Sequence, residues 1–136
     1  MATNVKAWSV AINRRVASDR ERFEKVFRGA GLYALGSASR GTRRDTGRAA
    51  GNWQTTLNEP AEGFIAGRAA PGGRNDGTIS ERLEPVSAGS RTIGSAKIGD
   101  VIWLHNGVPY ISILENKDRM VAGTVEALRT WIRSQR

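Results

Sequence analysis

Cysteine is absent from the 136-residue chain, which excludes disulfide bonds and thiolate metal sites. The only histidine, His105, has no second histidine or cysteine beside it, so we interpret it as a structural residue at a strand end. No apolar run approaches the roughly 20 residues that a membrane span needs, and the first residues lack the apolar core of a signal peptide. We therefore expect a soluble protein that stays where it is made.

Sequence patterns of common enzyme classes are also missing. There is no G-x-x-x-x-G-K-[ST] loop for phosphate binding, and no pair of acidic residues has the spacing of a metal-dependent nuclease. Asp45-Thr46-Gly47 matches the start of an aspartic-protease signature, but that chemistry needs two carboxylates in an apolar sheet, and this segment is basic. We predict no catalytic residue, no cofactor and no metal ion.

Acidic residues are outnumbered: 21 Lys and Arg stand against 13 Asp and Glu, a net charge of +8. The excess lies in the front of the chain, where residues 13–48 carry ten basic and four acidic side chains. A polyanion or an acidic protein surface is therefore expected to face one side of the molecule. The arginines that we assign to this contact, either with DNA or with a neighbouring subunit, are Arg40, Arg43, Arg44 and Arg48.

Two segments have the apolar spacing of amphipathic helices. Residues 4–39 repeat apolar side chains at intervals of three, four and seven, and Gly41 is the predicted stop, so residues 1–41 are interpreted as one helical region. This helix is longer than a chain of this size can cover with its own core, which suggests that part of it packs on a neighbour. A second stripe at residues 118–134 predicts a C-terminal helix.

Shorter patterns predict a small sheet. Residues 51–57 alternate in polarity and are predicted to pair with residues 63–66 as a hairpin, and Val101–Leu104 forms another apolar strand. Residues 67–97 are rich in Gly, Pro, Ser and Ala and are predicted to form a long loop, in which Pro85–Ile93 could make one short helix. The predicted fold is one α+β domain, residues 1–136: a long N-terminal helix and a C-terminal helix packed on a small antiparallel β-sheet, with a long Gly-rich loop.

The tryptophans fall on apolar stripes, so core packing is the first expectation for each of Trp8, Trp53, Trp103 and Trp131. Trp8 and Trp131 lie near the chain ends and are the two that we expect to complete an interface, where Trp is enriched.

The stretch around Pro109 is the one around which we expect the fold to be organised. Asn106 and the glycine after it should end the preceding strand in a turn, and Pro109 suits the start of a short helix. Tyr110 and Leu114 are four residues apart and share one face of that helix. Tyr110 is predicted to be buried under Trp103.

Two short motifs follow one another along the chain. The first is Asp45-Thr46-Gly47-Arg48 followed by Gly51-Asn52-Trp53, and the second is Asn106-x-x-Pro109-Tyr110, which is predicted to lead into a short helix ending in Leu114-Glu115. Together they resemble the small neck and tail-completion proteins of long-tailed bacteriophages, over roughly a third of the chain. The residues that carry this resemblance are Asp45, Thr46, Gly47, Arg48, Trp53, Asn106, Pro109, Tyr110, Leu114 and Glu115.

The resemblance implies a non-enzymatic structural protein of the virion, made in the host cytoplasm and assembled as a homo-oligomeric ring of six- or twelve-fold symmetry. Such a ring lies at the head–tail joint as a neck, tail-completion or terminator component. Its partners would be head-closure or connector proteins, tail terminator or tail tube proteins, and the genomic DNA that passes through its lumen. A second class of function stays open. A basic helix followed by a loop rich in arginine, residues 40–48, is also expected of a nucleic-acid-binding module. We call these residues the arginine loop.

Overall fold

The computed structural model describes residues 2–73 and 81–136. In this part of the chain the helices are α1 (Ala2–Gly41), α2 (Arg48–Gly51), α3 (Pro85–Gly94), α4 (Ile111–Asp118) and α5 (Met120–Ser134). The strands are β1 (Gln54–Leu57), β2 (Arg68–Ala69), β3 (Glu81–Arg82) and β4 (Ile102–His105). No helix in the described ranges is both long enough and apolar enough to cross a membrane.

The N-terminal helix confirms the predicted length and ends at Gly41. Its 40 residues extend about 60 Å at 1.5 Å per residue. The two halves differ, because the side chains of residues 4–23 are exposed except for the half-buried Asp19, whereas the helix is increasingly buried after residue 23. Glycine allows the close packing of this second half: a methyl group on Gly29 would lie 2.8 Å from the ring of Trp131 in α5.

The core lies where the second half of α1 meets α3, α5 and the sheet. Its buried members are Leu35, Ala38, Trp53, Ile93 and Met120. The indole N–H of Trp53 donates to the hydroxyl of Thr42 at 2.9 Å, and that hydroxyl donates to the carbonyl of Ala38 at 2.7 Å. Tyr33 stacks on Trp131 with ring centroids 5.6 Å apart, which fixes α5 along α1. Both tryptophans therefore pack inside the subunit.

The sheet confirms the α+β class but not the predicted hairpin. β1 pairs with β4 in antiparallel register, with Gln54 opposite His105 and Leu57 opposite Ile102. Residues 63–66 form no strand, so their predicted pairing with residues 51–57 is wrong. Side-chain bonds hold this segment instead: the amide of Ile65 donates to the Oδ1 of Asn52 at 2.7 Å. The remaining strands, β2 and β3, form a two-residue parallel pair.

The predicted long loop at residues 67–97 is not continuous in the described part of the chain. It contains β2, β3 and α3, and α3 begins at Pro85 as the sequence indicated. Gly89 is a packing residue, since a methyl group there would lie 2.6 Å from the Oγ1 of Thr55 and would also collide with Leu35. Small residues in this stretch therefore allow a helix to lie close to the core. Residues 74–80 of the predicted loop lie outside the described residues.

The stretch around Pro109 has a different geometry from the one predicted. Pro109 and Tyr110 form a turn, and α4 begins after them at Ile111. Tyr110 is 38% exposed and Trp103 is 40% exposed, so the predicted burial of Tyr110 under Trp103 is wrong. Val108, only 3% exposed, is the residue of this turn that enters the interior. An apolar residue before the proline, rather than the aromatic after it, anchors the turn.

Candidate functional site

The two sequence motifs meet at one surface. The side-chain amide of Asn106 donates to the carbonyl of Ala49 at 2.7 Å, which ties the end of β4 to α2. Tyr110 and Leu114 line the same cleft as residues of the Asp45–Arg48 segment. About 60 residues separate these segments in the sequence, and the fold brings them together.

The Asp45–Arg48 segment forms a tight turn that leads into α2. Gly47 has a φ of +84°, and its carbonyl accepts hydrogen bonds from the amides of Gly51 and Ala70, both at 2.8 Å. Thr46 Oγ1 accepts a bond from the amide of Arg48 at 3.3 Å. A left-handed conformation favours glycine. The role of this motif is therefore to set the backbone conformation of the turn before α2.

Asn52, which precedes Trp53 in the first motif, holds this part of the fold together. It is 1% exposed, and its side-chain amide donates to the carbonyls of Arg48 at 2.9 Å and Arg68 at 3.3 Å. Its Oδ1 accepts from the amide of Ile65, so one side chain joins α2, β2 and the segment before β2. The motif contained Asn52, but nothing in the sequence indicated which segments its side chain would join.

Two clefts flank Tyr110. The first has a volume of about 420 Å³ and is lined mainly by apolar surface from residues 64–66 and 108–110, with Arg48 and Arg68 beside it. We call it the Phe64–Tyr110 cleft, after its two exposed aromatic residues. The second cleft, about 410 Å³, lies between Tyr110, Leu114 and the arginine loop. Apolar clefts of this size with a few polar groups are typical binding sites.

Two arginines of the predicted contact set are bonded within the subunit. The guanidinium of Arg43 donates to both carboxylate oxygens of Asp118, with distances of 2.6–3.0 Å. These bonds and the positive charge hold the pKa of Asp118 below its usual value, and the same bonds raise the pKa of Arg43. Arg44 donates to the carbonyl of Pro71 at 3.0 Å and lies 3.5 Å from Glu84. Both guanidinium groups thus brace the arginine loop against other segments.

The other two arginines of that set lie in different surroundings. Arg40 is exposed at the end of α1 and lies back along the helix over Gly36. Arg48 is half-buried and lines both clefts beside Tyr110. Arg48 and Arg43 line the second cleft together, whereas Arg40 and Arg44 line neither. The predicted set is therefore divided among separate parts of the surface.

Glu115 stabilises the junction between α4 and α5. Arg119 adopts a left-handed conformation with φ of 50° between the two helices. The carboxylate of Glu115 accepts bonds from the amides of Val121 at 2.8 Å and Ala122 at 3.2 Å. These amides belong to the first turn of α5, which has no intrahelical acceptors for them. α4 continues to Asp118, so the helix does not end at Leu114-Glu115 as predicted, and Glu115 instead caps the start of α5.

The first half of α1 forms a second surface, which we call the arm and define as residues 4–23. Trp8 is 67% exposed and Phe23 is 66% exposed, so Trp8 does not pack in the core. A stripe of exposed apolar side chains follows one face of the arm: Val5, Trp8, Ile12, Val16 and Phe23. At its base the stripe continues into an open groove of about 460 Å³ between α1, Ile98 and Ile132.

Within the described part of the chain, the remaining titratable groups do not form a metal site. In residues 2–73 and 81–136, no three His, Asp or Glu side chains come together in an arrangement that could hold a metal ion. His105 is bonded through Nε2 to the carbonyl of Gly63 at 2.9 Å, which agrees with a structural role.

No protein-family model matches the chain, and no curated protein or solved structure shows significant similarity to it. Function is therefore inferred from the motifs and from two surfaces, the arm and the Phe64–Tyr110 cleft.

Proposed function

We propose that this protein is a non-enzymatic structural protein of a bacteriophage virion that forms a homo-oligomeric ring at the head–tail joint. As a neck, tail-completion or terminator component, the ring links the head-closure or connector proteins to the tail tube and lets genomic DNA pass. The protein would be made in the host cytoplasm and function in the virion.

The exposed arm is the observation that carries this proposal. About 30 Å of helix extends beyond the part of α1 that packs on the body of the subunit. An isolated helix of this length is marginal in water, because helices in proteins gain most of their stability from packing an apolar face. The arm exposes such a face, so the subunit is built to be completed by other chains.

The joined motifs support the same proposal. Residues that carry the resemblance to neck proteins form the Asp45–Arg48 turn and the Asn106 bond to Ala49 beside Tyr110, and Glu115 caps α5 next to them in the sequence. These interactions fix the shape around Tyr110 without assembling reactive groups. A shaped apolar surface with exposed aromatic residues is typical of protein–protein contacts.

The internal pairing of Arg43 and Arg44 changes the expected role of the arginine loop. A guanidinium that already donates three hydrogen bonds to Asp118 contributes less to a contact with DNA or with a neighbour than a solvated one would. We therefore assign these two arginines to bracing within the subunit. Arg40 is the member of the set that we propose to face another molecule, because it is exposed and none of the described residues forms a hydrogen bond or an ion pair with it.

A joining assay tests the proposed function. A phage that lacks this coding sequence should produce DNA-filled heads and complete tails that remain separate in electron micrographs. Addition of the purified protein to that lysate should restore joined, infectious particles. Joined particles formed in its absence would contradict the proposal.

A nucleic-acid-binding module is the second candidate, and the exposed basic side chains of the arm favour it. Arg14, Arg20 and Arg22 are exposed there, and in the described part of the chain none forms an ion pair. Such a module would bind duplex DNA tightly, with an affinity that falls steeply between 50 and 200 mM salt as counterions are released. Fluorescence anisotropy on a labelled duplex measures this directly. Tight binding at 50 mM salt that weakens steeply toward 200 mM would favour the module over the ring.

A further inference from the structure

We propose that the arm of one copy docks into the Phe64–Tyr110 cleft of the next copy, with Trp8 as its anchor. This inference rests on the proposed ring and identifies the contact that would join its subunits. The proposed binding partner of the arm is thus a second copy of this chain, not a different protein.

The topology of a ring decides between two ways of pairing copies. Two arms packed on each other would form a self-complementary contact about a two-fold axis, which closes at two copies. An arm seated on a different surface of the next copy forms a head-to-tail contact, which can close into a ring. The arm also carries five basic and two acidic residues, so arm-to-arm packing would bring like charges together.

Size and chemistry match Trp8 to the cleft. Trp8 is the largest exposed apolar side chain of the arm, and the cleft is an apolar hollow of about 420 Å³. Phe64 and Tyr110 stand exposed at the cleft, where they can pack against an indole ring. Aromatic pairs stabilise a contact beyond their buried area, and buried Trp side chains are frequent anchors of interfaces.

Charge complementarity favours the same pairing. The segment that leads to Phe64 contains Glu59 and Glu62, both exposed, and within the described residues neither carboxylate forms an ion pair or a hydrogen bond. The arm presents Arg20 and Arg22, which are equally exposed. Opposite charges around an apolar anchor orient two surfaces and speed their encounter. Two arginines line the cleft, but Arg68 is paired with Glu81 at 3.5 Å and Arg48 is half-buried. The exposed Glu62, two residues before Phe64, is therefore the carboxylate that suits a basic helix at this cleft.

Chemical cross-linking of the full-length protein tests the contact. The natural chain has no cysteine, so each introduced thiol is unique. Ser9→Cys places a thiol beside Trp8, and Ala66→Cys places one on the cleft, at positions that are both exposed. With a short bismaleimide, a mixture of the two variants should give a covalent dimer containing one copy of each. The double variant should give a ladder of higher multimers.

Three outcomes would overturn the inference. A dimer from Ser9→Cys alone would mean that arms pair with arms, and a dimer from Ala66→Cys alone would mean that clefts face each other. The absence of any mixed product would mean that the arm does not occupy the cleft. The joining assay distinguishes this failure from failure of the ring, since variants that join heads to tails without cross-linking would leave the proposed function intact.

A matched pair of variants measures the role of the anchor. Trp8→Ala should weaken self-association by about 30-fold or more in Kd, as truncation of an interface anchor does. Val10→Ala is the control, because Val10 is also exposed but lies about 200° around the helix from Trp8. Sedimentation velocity gives both constants. Equal association of Trp8→Ala and Val10→Ala would overturn the assignment of Trp8.

Discussion

Gly47 occupies a position in the arginine loop that leaves no room for a side chain. Its φ of +84° is left-handed, and a methyl group there would lie 2.5 Å from the carbonyl oxygen of Ala70. Backbone conformation and close packing therefore require glycine at the same position. Thr46 accepts the amide of Arg48 in the same turn, so backbone geometry accounts for the Thr-Gly part of the D-T-G sequence.

Gly47→Ala should lower the free energy of unfolding by about 1–3 kcal/mol, because alanine is strained at this φ and displaces the carbonyl of Ala70. Gly123→Ala is the matched control: a methyl group there meets nothing within 4 Å, and Gly123 lies inside α5. That control should stabilise the protein by about 0.5–1 kcal/mol. Urea unfolding of both variants measures the difference, and equal stability would contradict the assigned role of Gly47.

The bond between Arg43 and Asp118 should make the free energy of unfolding fall as the pH becomes acidic. The folded protein lowers the pKa of Asp118 below the value of about 3.9 in an unfolded chain. The contribution is therefore fully present above the unfolded pKa and is lost as pH falls through the folded one. Asp118→Asn should melt below wild type at pH 7, and this difference in Tm should shrink as the pH falls below about 4.

Glu59→Gln serves as the control for that titration, because Glu59 is exposed and forms no ion pair within the described residues. Its Tm should follow the wild-type Tm across the whole range. A constant gap between Asp118→Asn and wild type from pH 7 to pH 3 would show that the Arg43 bond does not contribute to stability.

At the scale of elements, the helices follow the sequence more closely than the strands do. The apolar period of α1, the proline that begins α3 and the stripe of α5 all predicted helices that the structure contains. Local spacing is enough for such predictions, because a helix satisfies its backbone within one segment. The partner of β1 was predicted incorrectly, since β4 lies about 45 residues further along and no local pattern encodes that pairing.

In the candidate site, too, local sequence patterns predicted the individual segments but not how they pack together. Motif spacing located the Asp45–Arg48 and Pro109 segments, but it did not indicate that Tyr110 would be exposed between two clefts. The clefts depend on the positions of Val108 and Asn52, which pack inward from separate elements. The sequence also could not show that Arg43 is bonded to Asp118, because the two residues are 75 positions apart. Charge pattern alone does not distinguish a bracing arginine from an exposed one.

The arm is the element whose stability should depend most on assembly. Its side chains are exposed, so its helix gains little from the body of the subunit. Amides of residues 5–20 should exchange rapidly with solvent in the isolated subunit and become protected in assembled particles, whereas amides of residues 30–38 should be protected in both states. Hydrogen exchange with mass spectrometry measures this. Equal protection of the arm in both states would contradict its proposed role as an assembly element.

At the scale of the whole molecule, two surfaces of different character lie on one subunit. One is a basic, apolar-striped helix about 30 Å long, and the other is an apolar cleft with the exposed Glu62 two residues before its Phe64. Unlike surfaces that complement each other favour head-to-tail assembly, which a ring requires. The net charge of +8 is therefore expected to act in protein contacts as well as toward DNA.

Electron cryomicroscopy of the intact virion neck tests the central claim most directly. The ring proposal predicts a closed layer of six or twelve copies of this chain between the head-closure proteins and the tail tube. In that layer the arm of each copy should reach the Phe64–Tyr110 cleft of its neighbour. A neck whose density contains no layer fitted by this fold would contradict the account.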